Sequence, residues 1–322
     1  MTGGTGFIGS HTVEQLIAEG FHVRCLIRPY QTNLRWLQDL PVDLVKTDLM
    51  NYASTLKSIE DAEYIIHIAG TTKAKRKNEF FTGNVSTTNN LLSAASQSKH
   101  LKKFCFISSL TAVGPSPMGI PLNETTPCHP ITAYGKSKLE AERLCKNYSE
   151  KMPIVIIRPP AVFGPRDTDI FEIFKWVNNG LKPVLGSSAK TLSLVYAPDL
   201  AKGIIRATFD ERTIGETYNI ADPTIFTFTS IMNHLATFVH KRTIQVHLPK
   251  GLVYSMAGFA QFVSLLSKRP AVLNIEKARD LLQKHWVCDP HKIQEHIGFQ
   301  TLTSIYDGVN KTFQWYKENG WL

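Results

Sequence analysis

The sequence predicts an α/β protein with a doubly wound parallel sheet and a smaller C-terminal lobe. Apolar runs typical of buried strands alternate with helical patterns up to Arg158, and a glycine-rich turn opens the chain. Beyond Arg158 the alternation loosens and Pro/Gly pairs interrupt it. Strands that alternate with helices form parallel sheets whose faces the helices cover.

The predicted elements of the first lobe follow one another with short connections. Helices are expected over residues 9–19, 54–58, 84–98 and 133–148, and strands over 22–27, 42–46, 64–68, 103–107 and 154–157. Later short strands over 192–195 and 217–220 are expected to return to the first lobe. We therefore expect a first domain over 1–165, with returning segments near 190–222, and a mainly substrate-binding lobe over 166–322.

The composition is that of an ordinary globular protein, and it excludes several classes. The chain has 322 residues, of which 43% are hydrophobic, and a net charge of +9. Its basic residues are dispersed, and the densest patch, Lys73 to Lys77, has no nucleic-acid motif, so we expect no nucleic-acid partner. The apolar segment 251–266 is shorter than the roughly 20 residues that span a bilayer, so no integral membrane segment is predicted.

The cysteines indicate a reducing compartment. There are five, an odd number, and none forms a CxxC pair. Free thiols are typical of intracellular proteins, and CxxC pairs are typical of zinc sites. The N-terminus has neither the charged leader nor the apolar core of a secretory signal, so we expect a cytoplasmic protein. From the cysteine spacing we expect no metal site.

The N-terminal turn has the spacing of a dinucleotide site. Glycines at four positions satisfy both GxGxxG and GxxGxxG, and a predicted helix begins directly after them: Gly3, Gly4, Gly6 and Gly9. Such a turn brings backbone N–H groups and a helix N-terminus against a pyrophosphate, so Phe7 and Ile8 are also expected at the cofactor. The strand that should feed this turn is missing from the sequence, which predicts further N-terminal residues in the natural chain.

The end of the next strand bears on the choice of cofactor. An acidic residue there favours NAD, whereas this chain has Arg28. A guanidinium stacks on adenine and pairs with a 2′-phosphate, so we expect NADP rather than NAD, with a surface arginine as the alternative. Asp48 and Leu49, after the third predicted strand, are expected at the adenine edge, although Asp48 also suits a helix cap.

A tyrosine and a lysine four residues apart suggest proton transfer. Tyr134 and Lys138 lie one turn apart on one helix face. A nearby ammonium favours the phenolate, which lets a tyrosine exchange a proton with an alcohol or carbonyl. A hydroxyl after the preceding strand, from Ser108 or Ser109, would orient the substrate oxygen. The order of these groups after the glycine turn makes the pattern specific.

This order resembles the extended short-chain dehydrogenase/reductase family, which includes nucleotide-sugar epimerases and dehydratases and has a Rossmann domain. Counting back from Gly114, the resemblance selects Ser109 over Ser108. It implies further cofactor contacts, after the fourth strand, in the next helix and in the segment near the nicotinamide: Ala69, Gly70, Asn84, Pro159 and Val162. It also implies a possible homodimer through the helix of Tyr134.

The C-terminal part is similar to the branch of dihydroflavonol reductases and 3β-hydroxysteroid dehydrogenases. The resemblance rests on segments 251–266, 286–289 and 315–322, and it implies hydride transfer between NADP(H) and an apolar secondary alcohol or ketone. Segment 251–266 suits either a lid or a packing helix. The alternatives are a non-catalytic dinucleotide-binding protein and a nucleotide-sugar epimerase or dehydratase, whose diphosphate would need basic groups from this set: Arg166, Lys175, Lys182, Lys190, Arg206, Lys241 and Arg242.

Overall fold

The computed structural model describes residues 1–186, 189–239, 241–266, 271 and 273–322. Its strands are β1 Arg24–Ile27, β2 Asp43–Lys46, β3 Tyr64–His67, β4 Lys103–Ile107, β5 Ile154–Arg158, β6 Ala161–Phe163, β7 Leu181–Leu185, β8 Thr191–Leu192, β9 Leu194–Tyr196, β10 Thr217–Asn219, β11 Phe226–Thr227, β12 Ile244–Leu248 and β13 His285–Trp286.

The helices alternate with these strands in the first half of the chain. They are α1 Phe7–Ala18, α2 Tyr52–Ser58, α3 Lys77–Phe81, α4 Thr87–Ala95, α5 Ala133–Tyr148, α6 Phe171–Asn178, α7 Ala197–Phe209, α8 Phe228–Ala236, α9 Lys250–Leu266, α10 Ile275–Leu281, α11 His291–Ile297 and α12 Ile305–Glu318. A π-helical turn, Thr82–Ser86, leads into α4, and 3₁₀ turns occur at Arg35–Leu37, Leu110–Ala112 and Glu211–Thr213.

The main sheet is parallel throughout. β1 pairs with β2 on one side, and β3, β4, β5 and β10 follow one another on the other side. The two parts meet at Thr2, which bridges in parallel to Leu26 of β1 and to His67 of β3. The predicted doubly wound parallel sheet is therefore confirmed, and β10 joins it from later in the chain.

Among the described residues, Met1 and Thr2 lie at the central position of this sheet. Met1 accepts a hydrogen bond from the Leu26 amide at 2.8 Å, and its amino group donates to Arg24 O at 2.6 Å. The Thr2 amide donates to Ile66 O at 3.0 Å, and Thr2 O accepts from the Ile68 amide at 3.3 Å. These bonds hold the start of the glycine turn between β1 and β3, where the sequence supplies no strand of normal length.

Successive side chains of β4 point to opposite faces of the sheet, and helices cover both faces. Cys105 and Ile107 face one core with residues of α1 and α7. Phe104 and Phe106 face the other core with residues of α4 and α5. Each face of a strand buried on both sides must be apolar, and the β4 sequence meets that requirement.

The remaining elements form the C-terminal part around a third core. This core is formed by residues of the strands β6, β8, β9 and β11 and of the helices α6, α8 and α12. The pair β7–β12 packs against α9, and β13 pairs with β8. Aromatic residues dominate this core: Phe163, Phe174, Tyr196, Phe226, Phe313 and Tyr316. Because β6 and α6 follow β5 directly, this core lies next to the edge of the main sheet where the parallel strands end.

Helix α9 packs through a narrow apolar stripe and exposes several of its other apolar side chains. Val253 and Ala257 contact Leu185, Leu248 and Leu282. Other apolar side chains of α9 face outward, with Phe259 at 71% and Phe262 at 64% exposure. In the part of the chain that the structure describes, no helix is both long and apolar enough to cross a membrane.

Candidate active site

The glycine turn sits at the edge of the sheet where the parallel strands end. Gly3 has a φ of +77°, a conformation that favours glycine. A Cβ at Gly9 would lie 2.0 Å from Gly3 O, so the turn closes only with glycine at that position. The Gly6 amide donates to Gly3 O at 2.9 Å, and Gly6 precedes the first residue of α1.

The start of α1 is suited to an anionic group. No side chain caps the helix, and its first turn has no acidic residue. A Cβ at Gly6 would meet only Gly3 O, at 3.1 Å, and otherwise open space. Uncapped N–H groups at a helix N-terminus attract a phosphate. The turn therefore fits the diphosphate of a nicotinamide dinucleotide, while Ile8 packs into the core and Phe7 faces the cavity described below.

A second group of predicted residues lies after β3. The amide side chain of Asn84 is 2% exposed, accepts from the Thr71 amide at 2.6 Å and donates to Ser137 Oγ at 2.8 Å. A Cβ at Gly70 would be 2.9 Å from Asn84 Oδ1 and 3.9 Å from Lys138 Nζ. Asn84 thus links the loop after β3 to α5, and the π-helical turn directs it there.

Lys138 is buried beside this loop. Its ammonium group donates to Ile107 O at 2.6 Å and lies 4.3 Å from the centroid of the Phe106 ring. Burial lowers the pKa of Lys138 to about 8, an effect that Glu142 opposes. Since only one of its three donors is used by the backbone, the ammonium retains hydrogen bonds for ribose hydroxyl groups.

Tyr134 and Ser109 meet across a close helix contact. A Cβ at Gly135 would lie 2.3 Å from Thr111 O, so glycine lets α5 approach the turn that follows β4. Ser109 Oγ accepts from Thr111 Oγ1 at 2.9 Å and from the Thr111 amide at 3.2 Å. With both of these donors directed at its oxygen, the Ser109 hydroxyl has its own proton available for a neighbour.

The ionisation of Tyr134 is set mainly by burial. Burial raises the pKa of Tyr134 to about 12, the hydrogen bond with Ser109 opposes this rise, and the charge of Asp280 adds to it. Lys138 does not offset the burial. The phenol is therefore neutral at neutral pH in the protein without cofactor, and the expectation that Lys138 together with a bound nicotinamide favours the phenolate stays a prediction.

The two neighbouring serines point in different directions. Ser108 is buried and donates to the Glu142 carboxylate at 2.5 Å. The same carboxylate binds the buried Arg158 guanidinium through contacts of 2.9 and 2.6 Å. Ser109 instead lines a cavity together with Tyr134. Their side chains lie on opposite sides of the backbone, as the alternation of an extended segment requires.

That cavity has a volume of about 410 Å³. It is bounded by the first lobe on one side and by the C-terminal part on the other. Most of its lining side chains are apolar, with Phe7 and Val162 among those predicted at the cofactor: Phe7, Phe80, Leu110, Val162, Phe163, Ile170, Ile173, Phe174, Leu192, Leu194, Phe228, Ile231, Met232, Leu235, Leu281, Trp286 and Val309. This size and lining suit an apolar small molecule. Described residues of α9 do not line it, so the structure does not support the lid interpretation.

The other predicted cofactor residues lie at the same sheet edge. Arg28 follows β1 and is exposed, while Asp48 follows β2 and accepts from the Met50 amide at 2.9 Å. Asn51, not Asp48, caps α2. Leu49 O accepts from the Asn90 side chain at 3.0 Å. The carboxyl ends of parallel strands share one edge, where dinucleotides bind in such folds.

The two remaining residues predicted at the cofactor, Ala69 and Pro159, tie the loops after β3 and β5 to neighbouring turns at this edge. The Ala69 amide donates to Thr2 Oγ1 at 3.1 Å, which ties the loop after β3 to the glycine turn. Pro159 O accepts from the Leu110 amide at 2.8 Å, which ties the end of β5 to the turn of Ser109. Buried His67 bonds Thr2 and Thr88 at 2.7 and 2.9 Å, and burial lowers its pKa to about 3. It has a structural role.

Several charged groups line the cavity that sequence reasoning did not place there, among them Asp167, Lys190 and Asp280. Asp167 accepts from two backbone amides and Asp280 lies on α10, while Lys190 was considered only for a diphosphate. Lys190 is 5% exposed and its ammonium is bound to Leu281 O. None of the three occurs in a motif, because the tertiary fold alone brings residues 167, 190 and 280 together.

Comparison with known proteins agrees with this geometry. Residues 1–221 match the model of the NAD dependent epimerase/dehydratase family. The chain is 27% identical over 325 residues to a ceramide reductase of Caulobacter vibrioides, covering 100% of this chain and 95% of that protein. It is 28% identical over 214 residues to a decarboxylating sterol-4-alpha-carboxylate 3-dehydrogenase of Dictyostelium discoideum, covering 63% and 65% of the two chains.

Solved structures share the fold. UDP-glucuronic acid 4-epimerase from Bacillus cereus, in complex with NAD, superposes with a TM-score of 0.79 at 23% identity, covering 99% of this chain and 98% of that one. The family match covers the glycine turn, the serine, the tyrosine and the lysine. The chain therefore belongs to the NAD dependent epimerase/dehydratase family, the extended short-chain dehydrogenase/reductases that its sequence resembles.

Proposed function

We propose that this protein transfers a hydride between NADP(H) and the secondary alcohol or ketone of an apolar small molecule. The observation that supports this is the cavity itself. Ser109 and Tyr134 line it together with a predominantly apolar set of side chains. A ketone seated there would have its oxygen near two hydroxyl groups and its apolar part against aromatic and aliphatic residues.

The chain's own residues supply the proton. When bound, the nicotinamide gives a hydride to the carbonyl carbon or takes one from the alcohol carbon. In reduction, the neutral Tyr134 phenol donates its proton to the substrate oxygen, which becomes the hydroxyl group. Its high pKa keeps the phenol protonated at neutral pH, ready for this direction. The Ser109 proton orients the same oxygen, and solvent returns a proton to Tyr134.

Lys138 would hold the nicotinamide end of the cofactor. Its ammonium is fixed by Ile107 O at 2.6 Å and lies next to Gly70 and Asn84. From there it would donate to ribose hydroxyl groups and place positive charge beside the phenol when the phenol loses its proton. Asn84 acts on this arrangement indirectly, because it bonds Thr71 and Ser137 on either side.

The distribution of basic groups argues against a nucleotide sugar. Of the seven cations considered for a diphosphate, Lys190 alone lines the cavity, and its ammonium is bound to Leu281 O. Arg166 is paired with Glu14 at 2.6 Å and lies against Trp36. Lys182 donates to Asn233, and Arg206 lies 3.6 Å from Asp210. Two further cations line the cavity, Lys73 and Lys277, and both lie near carboxylates, Lys73 in an ion pair with Asp169 and Lys277 beside Asp280. Part of the charge that two phosphates would need is therefore already balanced.

The names of relatives support an apolar substrate. One relative, matched over nearly its full length, is a ceramide reductase, and another, matched over 65% of its length, is a decarboxylating sterol-4-alpha-carboxylate 3-dehydrogenase. Both names specify oxidoreductases whose substrates are lipids. Epimerases of UDP-sugars share the fold as well, and the predominantly apolar lining of the cavity supports the apolar class of substrate.

Arg28 supports the preference for NADP. It is exposed at the carboxyl end of β1, where the adenine ribose of a dinucleotide lies in such folds. Replacing Arg28 by alanine should weaken NADP(H) binding about tenfold and leave NAD(H) binding unchanged, because only the former has a phosphate to pair with. Equal effects on the two cofactors in a binding titration would refute the assignment.

Turnover assays test the proposal directly. The protein is incubated with NADPH and apolar ketones, and separately with UDP-sugars and NAD, and cofactor absorbance and products are followed. We expect reduction of the ketones only. Conversion of UDP-sugars without conversion of ketones would overturn the proposal in favour of epimerisation or dehydration.

We also propose a reducing compartment, consistent with a cytoplasmic enzyme. All five cysteines are free thiols, and Cys25, Cys105, Cys145 and Cys288 are buried. Lys73 and Lys77 of the basic patch are near Asp169 and Glu276, so part of its charge is balanced. The homodimer through α5 stays a prediction, and mass measurement in solution tests it.

A further inference from the structure

The cavity contains a carboxylate for which the proposed hydride transfer has no use. Asp280 lies in the last turn of α10 and lines the cavity together with Tyr134. Its Oδ1 atom is shielded from solvent and has no hydrogen-bond partner among the residues that the structure describes. A carboxylate oxygen in that state is costly to keep, since it has lost water without gaining a donor.

The backbone around Asp280 is well anchored, so the side chain has a defined position. Trp286 Nε1 donates to Asp280 O at 2.9 Å, and the Asn274 side chain caps the start of α10 through the Lys277 amide at 2.8 Å. The next carbonyl, Leu281 O, holds the Lys190 ammonium. The neighbouring cation is thus bound to the backbone and leaves the carboxylate oxygen without a donor.

Other acidic groups of the cavity have partners among the described residues. Asp169 Oδ1 accepts no hydrogen bond, as for Asp280, but it forms an ion pair with Lys73. The Asp167 carboxylate accepts from the Asp169 amide at 2.8 Å and from the Ile170 amide at 3.1 Å. Glu276 Oε2 accepts from the Ala133 amide at 2.5 Å. Asp167 and Glu276 thus have donors within the protein. Asp280 Oδ1 accepts no hydrogen bond from the described residues, although Lys277 and Lys190 are close enough to act on its charge, and a molecule in the cavity that carries a donor would satisfy it.

We propose that Asp280 accepts a hydrogen bond from an O–H or N–H group that the substrate carries close to its reacting carbon. The substrate is then an apolar ketone or alcohol with a neighbouring hydroxyl or amide. This inference rests on the proposed function, because it places the donor relative to the oxygen that Tyr134 and Ser109 bind. Asp280 makes no bond to the reacting oxygen and takes no part in the proton transfer.

Specificity should follow from the same atom. A ketone that carries the donor satisfies Oδ1, whereas a plain apolar ketone leaves it unpaired in the closed complex. Sites built to bind a substrate donor discriminate strongly against analogues that lack it, because the unpaired group remains. Asp280 therefore selects among ketones that fit the apolar wall equally well.

The test compares three ketones that share an apolar chain: decyl methyl ketone, decyl hydroxymethyl ketone and decyl acetamidomethyl ketone. The wild-type protein should favour one or both of the donor-bearing ketones by kcat/KM. Asp280→Leu should lower kcat/KM for those ketones about tenfold to a hundredfold relative to decyl methyl ketone, mainly through KM. The ketone with the larger loss identifies the donor as hydroxyl or amide.

Asp167→Asn is the matched control, since it also alters a buried carboxylate of this cavity. Its oxygens already accept backbone amides, so the ratio among the three ketones should not change. Asp280→Asn keeps the volume and one neutral acceptor, and it should give an intermediate loss of preference. An unchanged ratio in both Asp280 variants would overturn the proposal.

Binding separates this proposal from the proposed function. The rise in melting temperature caused by each ketone, with NADP present, reports affinity without turnover. If the wild-type protein reduces none of the ketones, the proposed function fails, and the comparison of melting temperatures still decides the role of Asp280. If it reduces all three with a ratio insensitive to Asp280, the function stands and the further inference fails.

Discussion

Two walls of one cavity are built in different ways. The proton-handling wall consists of Ser109, Thr111 and Tyr134, and the C-terminal wall contains Lys190 and Asp280. In the first, Thr111 donates to Ser109 at 2.9 Å, and Ser109 opposes the rise in the pKa of Tyr134. In the second, the Lys190 ammonium binds Leu281 O and the Asp280 oxygen has no donor.

The difference indicates which groups are arranged before a substrate enters. A wall whose polar groups satisfy one another has its geometry fixed by the protein, as catalysis by oriented hydroxyl groups requires. A buried acceptor without a hydrogen bond raises the free energy of the empty cavity, and a ligand that carries a donor removes this penalty when it binds. We therefore assign the reaction to the first wall and the choice of substrate to the second.

The largest effect expected from this division is that of Tyr134→Phe. Without the phenolic proton, kcat for ketone reduction should fall about a thousandfold, because general acid catalysis typically contributes 10² to 10⁴. KM and the melting temperature should change little, since the ring keeps its place. Steady-state kinetics with NADPH measure both parameters.

Tyr148→Phe serves as the control for this change. Tyr148 lies at the other end of α5 and is half-buried against α4-side core residues. Its variant should retain normal kcat. Full activity of Tyr134→Phe would remove the catalytic assignment and favour the alternative of a non-catalytic dinucleotide-binding protein.

The same two walls show what the sequence could predict. Ser109, Tyr134 and Lys138 follow one another at a strand end and on one helix face, so local periodicity and spacing locate them. Asp280 is separated from Tyr134 by more than a hundred residues, and no motif surrounds it. Its position in the cavity depends on the packing of the C-terminal part, which the irregular spacing of short strands does not reveal.

Energetics were harder to predict than positions. The sequence places an ammonium one helical turn from Tyr134, which suggests a lowered pKa, but it does not report how deeply the phenol is buried. Likewise, the glycine turn is evident from spacing, whereas its anchoring through Met1 and Thr2 depends on backbone bonds to β1 and β3. In both cases the deciding quantity is a tertiary contact.

A smaller effect concerns stability. Burial raises the pKa of Asp280 to about 6, opposed by Lys277 and Lys190, while Glu276 adds to the rise. A carboxyl whose pKa is higher in the folded protein than in the unfolded chain destabilises the fold when it is ionised. The folded state is therefore less stable above about pH 6 than at low pH, where Asp280 is protonated. Asp280→Leu should therefore be about 1–2 kcal/mol more stable than wild type at neutral pH.

Urea unfolding over a pH series checks this expectation. The advantage of Asp280→Leu should grow between the ordinary Asp pKa of about 4 and about 6, and vanish below that range. Asp167→Asn provides the contrast, since the two Asp167 oxygens each accept from one backbone amide and the variant loses one of these acceptors, which should destabilise the protein. A loss of stability in Asp280→Leu at neutral pH would mean that its carboxylate has a partner within the protein.

The smallest expected effect couples the two walls. Burial is the main cause of the raised Tyr134 pKa, Ser109 opposes it, and the charge of Asp280 adds to it. In Asp280→Asn that charge is absent, so the phenol should lose its proton at a lower pH. In alcohol oxidation Tyr134 accepts the proton, so kcat should rise with pH as the phenol ionises. In Asp280→Asn this rise should occur at a lower pH than in wild type, by less than about one pH unit. Reduction at neutral pH should be unaffected, because the phenol is protonated in both proteins.

A shift to higher pH would contradict the electrostatic contact between the walls, and no shift would mean that Asp280 acts on the substrate alone.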